Sequence, residues 1–358
     1  MAADVYFIRA QSKENLNDVQ KKIELLFNTS GFDTCIEHHD MTAIKIHFGE
    51  KGNTTYIPPA YVLPVARLIE RKGGRPFLTD TNVLYKSERS DAVSYLKLTQ
   101  NHGFTIDACG APVVIADGLR GSNEIEVTIN GELFEKVSIA TEVITANSLI
   151  VYTHPTGHMS TGFGGTLKNL GMGLSSRKGK LRQHSAVKPW VDRNRCTRCG
   201  QCIKWCPADA IEWRENAAFI MNEICIGCGE CLTVCRFDAV KFNWRTSGVE
   251  LQKRIAEHAL GVVIAKKGKV GYFSFVMNVT KDCDCVSMKQ QPAFEDIGIL
   301  ASKDPVALDQ ATLDLIEQET KKPLRYYSYP NVDDTVQLVH GEKIGLGERS
   351  YQLHEISL

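Results

Sequence analysis

Cys196-Thr-Arg-Cys199-Gly-Gln-Cys202-Ile-Lys-Trp-Cys206-Pro207 and Cys225-Ile-Gly-Cys228-Gly-Glu-Cys231-Leu-Thr-Val-Cys235-Arg236 share the spacing C-x2-C-x2-C-x3-C. The repeat extends past the cysteines at a constant offset. Val191 answers Ile220, Gly200 answers Gly229, Asp209-Ala210-Ile211 answers Asp238-Ala239-Val240, and Trp213 answers Phe242. The stretch is an internal duplication. Three cysteines three residues apart can wrap a loop around one iron–sulfur cube while the fourth reaches the other cube. The spacing therefore predicts two 4Fe-4S clusters as cofactors, one on Cys196, Cys199, Cys202 and Cys235, the other on Cys225, Cys228, Cys231 and Cys206. Zinc also binds C-x2-C pairs, but a four-ligand ion has no use for the third cysteine of each run. Gly200 and Gly229 let the backbone approach sulfide closely. This stretch resembles the bacterial two-cluster ferredoxins, departing from them in ending Cys235-Arg236 where they have Cys-Pro.

Eight of the twelve cysteines lie in this repeat, and the chain has 358 residues, room for a large domain plus a small module. Lysine plus arginine and aspartate plus glutamate balance at 42 each, which gives no strong field toward nucleic acid or an anionic membrane. The N-terminus has no basic region followed by an apolar core and cleavage site, and no run is long enough to span a bilayer. A cytoplasmic protein is expected, where clustered cysteines signal metal or redox chemistry rather than disulfides.

Short apolar runs alternate with helical periodicity on both sides of the repeat, the pattern of α/β units. Strands are expected at Ile44–Phe48, Phe77–Leu78, Val113–Ala116, Leu149–Tyr152, Val270–Val276 and Ile297–Leu300. Helices are expected at Asn15–Phe27, Pro59–Arg71, Ser90–Gln100, Gly248–Leu260 and Val306–Gln318, the last capped by Asp304 with Pro305 at its first position. The architecture is read as α/β: a large domain formed by residues 1–187 and 246–358, with a small α+β ferredoxin-like module, 188–245, inserted.

Ligands of open α/β sheets sit beyond the carboxyl ends of strands. Several runs end in polar residues there: Lys45 and His47, Thr79-Asp80-Thr81-Asn82, Asp117-Gly118 and His154. Next comes a glycine-rich stretch from His154 through His158, Gly162, Gly164, Gly165, Lys168 and Asn169 to Gly173. It matches neither a P-loop nor a dinucleotide fingerprint. Glycine amides leading into a helix start, with Lys168 nearby, suit a phosphate or carboxylate, although close packing would also select glycines. Pro155 and Gly157 argue against the helix that would align His154 and His158 as a metal pair. Cys283 and Cys285, in Asp282-Cys283-Asp284-Cys285, could form a redox pair, act as nucleophile, ligate a metal or fill the core.

Gly162–Gly173, Cys283-Asp-Cys285 and Asp296-Ile-Gly-Ile-Leu-Ala-Ser-Lys-Asp-Pro-Val-Ala-Leu-Asp309 together resemble the domain-of-unknown-function family 362 proteins that carry an inserted ferredoxin module. That family's distant similarity to the N-terminal domain of nickel-dependent lactate racemase implies a pocket for a small carboxylate or phosphorylated ligand. The reading expected is an iron–sulfur oxidoreductase passing electrons to a small anionic substrate or second cofactor. Lys45, Gly162, Gly164, Gly165, Lys168 and Asn169 would bind it, and His47, His154, His158, Cys283 and Cys285 would do the chemistry. A redox partner protein is implied. The competing readings are an electron carrier with a docking domain and a non-redox isomerase or lyase with structural clusters.

Overall fold

Alternation along the strands sets the layers of this computed structural model, which describes residues 2–184, 188–242 and 248–358. Eight strands form the main sheet: β1 (Ala3–Arg9), β2 (Met41–Lys45), β3 (Arg75–Asp80), β4 (Val113–Ile115), β5 (Ser148–Thr153), β6 (Val270–Val276), β7 (Gly298–Ser302) and β8 (Tyr351–Glu355). Their spatial order is β8-β1-β7-β6-β5-β2-β3-β4. β7 is antiparallel to both its neighbours. Every other pairing in the sheet is parallel, so seven strands run one way.

β5 is buried from end to end, as a central parallel strand must be when helices cover both faces. Leu149 and Val151 point into one core, with Leu167, Leu170, Ala259, Val306 and Ile316 from the helices Thr166–Gly171, Gly248–Lys266 and Pro305–Thr320. Ile150 and Tyr152 point into the other, with Val19, Ile23, Val65, Ile69, Tyr95 and Leu98 from Leu16–Thr29, Leu63–Arg71 and Ala92–Asn101. The caps follow local chemistry. Asn15, Asp91 and Asp304 each accept backbone amides of the first turn.

The expected strands and helices all form, with ends shifted by a few residues. The helix from Gly248 runs on through Gly261 to Lys266, beyond the expected Leu260. A Cβ at Gly261 would stand 2.4 Å from Val137 Cγ2, so that glycine allows close packing rather than marking a stop. His47 lies just beyond the end of β2 rather than within it.

In the cysteine-rich segment, Trp190–Val191 pairs antiparallel with Val240–Lys241, and Ile211–Arg214 with Ala217–Ile220. Short helices span Gln201–Lys204 and Glu230–Val234. Ile211, Ala218, Ile220, Cys231 and Val240 form a separate small core. The duplication is visible in the backbone: the left-handed conformation recurs at Arg198 and Gly227, Gly200 and Gly229, Asp209 and Asp238. The expected boundaries, 187/188 and 245/246, involve residues outside the described set. On either side, the helices Arg177–His184 and Gly248–Lys266 pack together, and Arg254 donates to the Arg182 carbonyl at 2.9 Å.

Candidate functional site

The carboxyl ends of β2, β3 and β5 and the loop after β6 surround a cavity of about 540 Å³. Lys45 and His47 reach it from β2, Asp80 and Thr81 from β3, Thr153 and His154 from β5, and Cys283, Asp284 and Cys285 from the loop. Gly164, Gly165, Lys168 and Asn169 line another wall, with His158, Lys180 and His184. Asp117, expected at the same pocket, does not line it. Its carboxylate accepts the backbone and side-chain amides of Asn82 and braces the β3 end instead.

Most of the charge in this cavity is already balanced. The Lys45 ammonium is 3.2 Å from Asp80 and donates to Asn169 Oδ1 at 2.6 Å, while Asn169 donates to the Tyr152 carbonyl and Thr153 hydroxyl. Tyr95 donates to the other Asp80 oxygen at 2.6 Å. Arg89 is buried against Glu50 at 3.0 Å. Lys180 donates to Thr81 and to the Ser175 carbonyl. Lys168 is different: it faces the cavity and its ammonium makes no hydrogen bond among the described residues. Burial, reinforced by the charges of Arg89 and Lys45, pulls its pKa down to about 8. It is a cation held at a cost that an incoming anion would relieve.

The three expected histidines fall into two states, one with its pKa raised and two with theirs lowered. His154 places Nδ1 2.7 Å from Asp284 and Nε2 3.0 Å from the Met277 carbonyl. Both nitrogens thus face acceptors, which suits the doubly protonated ring. Burial opposes that charge, but Asp284 outweighs it and the pKa is raised. His158 Nδ1 accepts the amides of Ser160 and Thr161, leaving Nε2 to carry the proton of a neutral ring. Burial and the nearby Lys168 keep it neutral. His47 Nδ1 accepts the Gly49 amide, and its Nε2 meets Arg89 at 2.8 Å. Burial and Arg89 push its pKa well down, so it too is uncharged. His154 and His158 do not form a metal pair, because each is committed to other partners. Among the described residues no group of three or more His, Cys, Asp or Glu is placed to hold a metal ion.

The expected backbone cradle for an anion is not available. The amides of Thr166 and Leu167, which open the helix after the glycines, are taken at 2.7 and 2.9 Å by the buried Asp309 carboxylate. Gly162 lies outside the cavity lining, in the antiparallel pair Thr156–His158 with Gly162–Gly164. Gly165 has no room for a side chain, since a Cβ would lie 2.3 Å from Phe163 and 2.6 Å from Asp309 Oδ1. These glycines serve close packing. The anion-directed group of this stretch is the Lys168 side chain, which the short helix Thr166–Gly171 aims at the cavity.

Cys283 and Cys285 are joined by a disulfide on the cavity wall. Asp284 between them anchors the loop: its carboxylate pairs with His154 and accepts from Thr55, and its carbonyl accepts the Glu50 amide at 2.9 Å.

The eight repeat cysteines line two separate small cavities, four in each. One is lined by Cys196, Cys199, Cys202 and Cys235, the other by Cys206, Cys225, Cys228 and Cys231. The amides of Ala210 and Ala239 donate to the sulfurs of Cys206 and Cys235, each at 3.2 Å. The two N–H···S bonds occupy equivalent positions in the two halves of the duplication. The second cavity faces the main domain: a Cβ on Gly229 would lie 3.3 Å from Leu84, and Leu84 also lines the large cavity. Arg177, buried, lies 3.7 Å from Glu230 at the same junction. The first cavity faces outward, with Cys199 exposed.

Sequence reading missed Arg89, Glu50, Leu84, Asp284 and Asp309. Asp284 and Asp309 stood inside quoted motifs. Arg89 and Leu84 lie in a loop without periodicity or a recognisable signature, and only the tertiary fold brings them to the cavity.

The family described as domain of unknown function (DUF362) matches residues 42–314. No curated protein matches the sequence. Among solved structures, the lactate racemase apoprotein from Thermoanaerobacterium thermosaccharolyticum is similar at 12% identity and a TM-score of 0.44, over 85% of this chain and 55% of that one. A Thermotoga maritima protein is similar at 10% identity and a TM-score of 0.41, over 86% of this chain and 59% of its own. The chain thus spans little more than half the length of either structure.

Proposed function

The chain belongs to the DUF362 family, and on that premise we propose that it is an iron–sulfur oxidoreductase acting on a small anionic ligand in the strand-end cavity. The observation that carries this reading is the position of Leu84, which lines the large cavity and lies against Gly229, a residue lining the cavity of Cys206, Cys225, Cys228 and Cys231. Residues 188–245 are read as an inserted two-cluster ferredoxin module. Cys196, Cys199, Cys202 and Cys235 would hold one 4Fe-4S cluster and the other four cysteines the second. Bound there, such clusters supply single electrons at low potential. The outward-facing quartet suits a redox partner protein, and the inward-facing one abuts the ligand cavity.

The chain's own residues account for ligand binding. Lys168 supplies the charge that an anion would neutralise, and the neutral His158 offers a ring N–H. Lys45, held by Asp80 and Asn169, fixes the floor of the cavity rather than reaching for the ligand. His154 is a fixed cation that positions Asp284 and, through it, the cysteine loop. Lys168, with its pKa near neutrality, is the cavity's natural proton donor.

Anaerobic purification with iron and sulfide analysis tests the reading. About eight irons and eight sulfides per chain are expected, with a reduced-state EPR signal of 4Fe-4S type. Zinc in place of iron, or a chain that folds with neither, would overturn it.

A further inference from the structure

We propose that the Cys283–Cys285 disulfide is a redox-active site, reduced to a dithiol by two successive single-electron transfers, and that the cavity's ligand is a two-electron acceptor. This rests on the cluster reading above and goes beyond it. It places a second redox group, built from the chain itself, between single-electron delivery and the ligand.

Several independent features point to it. The bridge joins residues two apart in sequence, so it closes a very small loop and gains little from restricting the unfolded chain. As a structural staple it is poorly placed. Both cysteines line the cavity that holds Lys168, rather than an apolar core. The loop is also held by bonds that do not involve sulfur. Asp284 is tied to His154, Thr55 and the Glu50 amide, and the Cys283 carbonyl accepts from Val286 at 3.0 Å. Opening the S–S bond therefore leaves both thiols where they were. Finally, the cavity wall at Leu84 adjoins the inward-facing cysteine quartet, the side from which electrons would come.

The balance is simple. The S–S bond breaks as the pair takes up two electrons and two protons, giving two thiols. Two equivalents of a reduced iron–sulfur donor each lose one electron. One proton is available from Lys168 and the other from water in the cavity. When the dithiol passes two electrons to the ligand, two protons leave with them and the bridge reforms. A pair of one-electron carriers is thereby matched to a two-electron reaction, without releasing a half-reduced ligand.

The test uses the intact holoprotein and needs no activity assay. The protein is purified anaerobically, unfolded in iodoacetamide before and after reductive titration with titanium(III) citrate, and the peptide spanning 282–289 is read by mass spectrometry. Cys283 and Cys285 should be unlabelled before reduction and both labelled after it. The titration should consume about four electrons per chain, two at the clusters and two at the bridge, and about two in Cys283→Ser. The cluster EPR signal should be the same in both proteins. Free thiols at 283 and 285 in the protein as isolated, or uptake of two electrons by the wild type with full EPR intensity, would overturn the proposal and leave the cluster reading standing. Absence of any cluster signal would sink that reading instead. Iron-free protein whose bridge is reduced equally fast would show that reduction bypasses the clusters.

Discussion

Raising the pH across neutrality should discharge Lys168 while leaving ordinary lysines charged. Burial desolvates its ammonium, the like charges of Arg89 and Lys45 outweigh the opposite ones of Asp284 and Asp80, and the ammonium has no hydrogen-bond partner among the described residues; its pKa is brought to about 8. Sign and size follow directly. The group is a cation below pH 8 and a free amine above it. At pH 8 about half the molecules carry the free amine, against roughly one in 250 for a surface lysine titrating near 10.4, an advantage in amine population of about 125-fold. Competitive labelling with trace acetic anhydride from pH 6 to pH 10, read on the Lys168 peptide, reports the midpoint independently of access, which scales the whole curve. A midpoint near 8 is expected. Lys45→Met removes one of the depressing cations and should move the midpoint upward. A wild-type midpoint above 10 would refute the argument that the cavity holds an uncompensated charge, and with it the case for an anionic ligand.

Other expectations follow from the same geometry. With inorganic phosphate as probe, Lys168→Gln should weaken binding at pH 7 by about 10- to 100-fold, the worth of one charge-assisted hydrogen bond, by isothermal titration. Wild-type affinity should fall by up to about tenfold per pH unit above 8 as the protonated fraction declines; a flat profile would place the anion elsewhere. Asp309→Asn puts an amide N–H against one of two backbone donors it now satisfies, costing about 2–3 kcal/mol and roughly 3–4 °C in Tm by calorimetry; an unchanged Tm would show that those amides find other partners. In Gly171→Ala the new Cβ would lie 2.1 Å from the Ile255 carbonyl oxygen, so the helices must part. A loss of about 1–3 kcal/mol in urea unfolding is expected, and a silent substitution would mean that this contact is looser than described.

The parts legible in the sequence were those governed by local chemistry. Asp304-Pro305 announced a helix start and delivered one, because a cap needs only its own first turn. The run Val270–Val276, rich in aromatic and β-branched residues, reads as a strand and forms one with those bounds. What escaped was set by the whole fold. The N-terminal strand Ala3–Arg9 carries Val5 and Phe7 on one face and Ile8 on the other, yet nothing local says that it pairs antiparallel with Gly298–Ser302, far along the chain. The glycine-rich stretch looked like an anion cradle because its amides lead into a helix. The group that occupies those amides, Asp309, comes from a different helix, and its selection depends on the depth at which two helices pack. For the same reason Lys168 and Lys45, indistinguishable as letters, end as a free charge and a neutralised one.

The point where the chain leaves the main domain and the point where it returns lie on two helices already in contact, joined by the Arg254 bond to the Arg182 carbonyl. An excursion with adjacent ends can be lengthened, shortened or removed in descent without reordering any strand of the main sheet. The strand order of the sheet and the walls of its cavity thus do not depend on the cysteine-rich segment being present. What such a loss would expose is the patch around Leu84 and Arg177. A chain of this fold lacking that segment would need other residues to close the cavity beside Leu84.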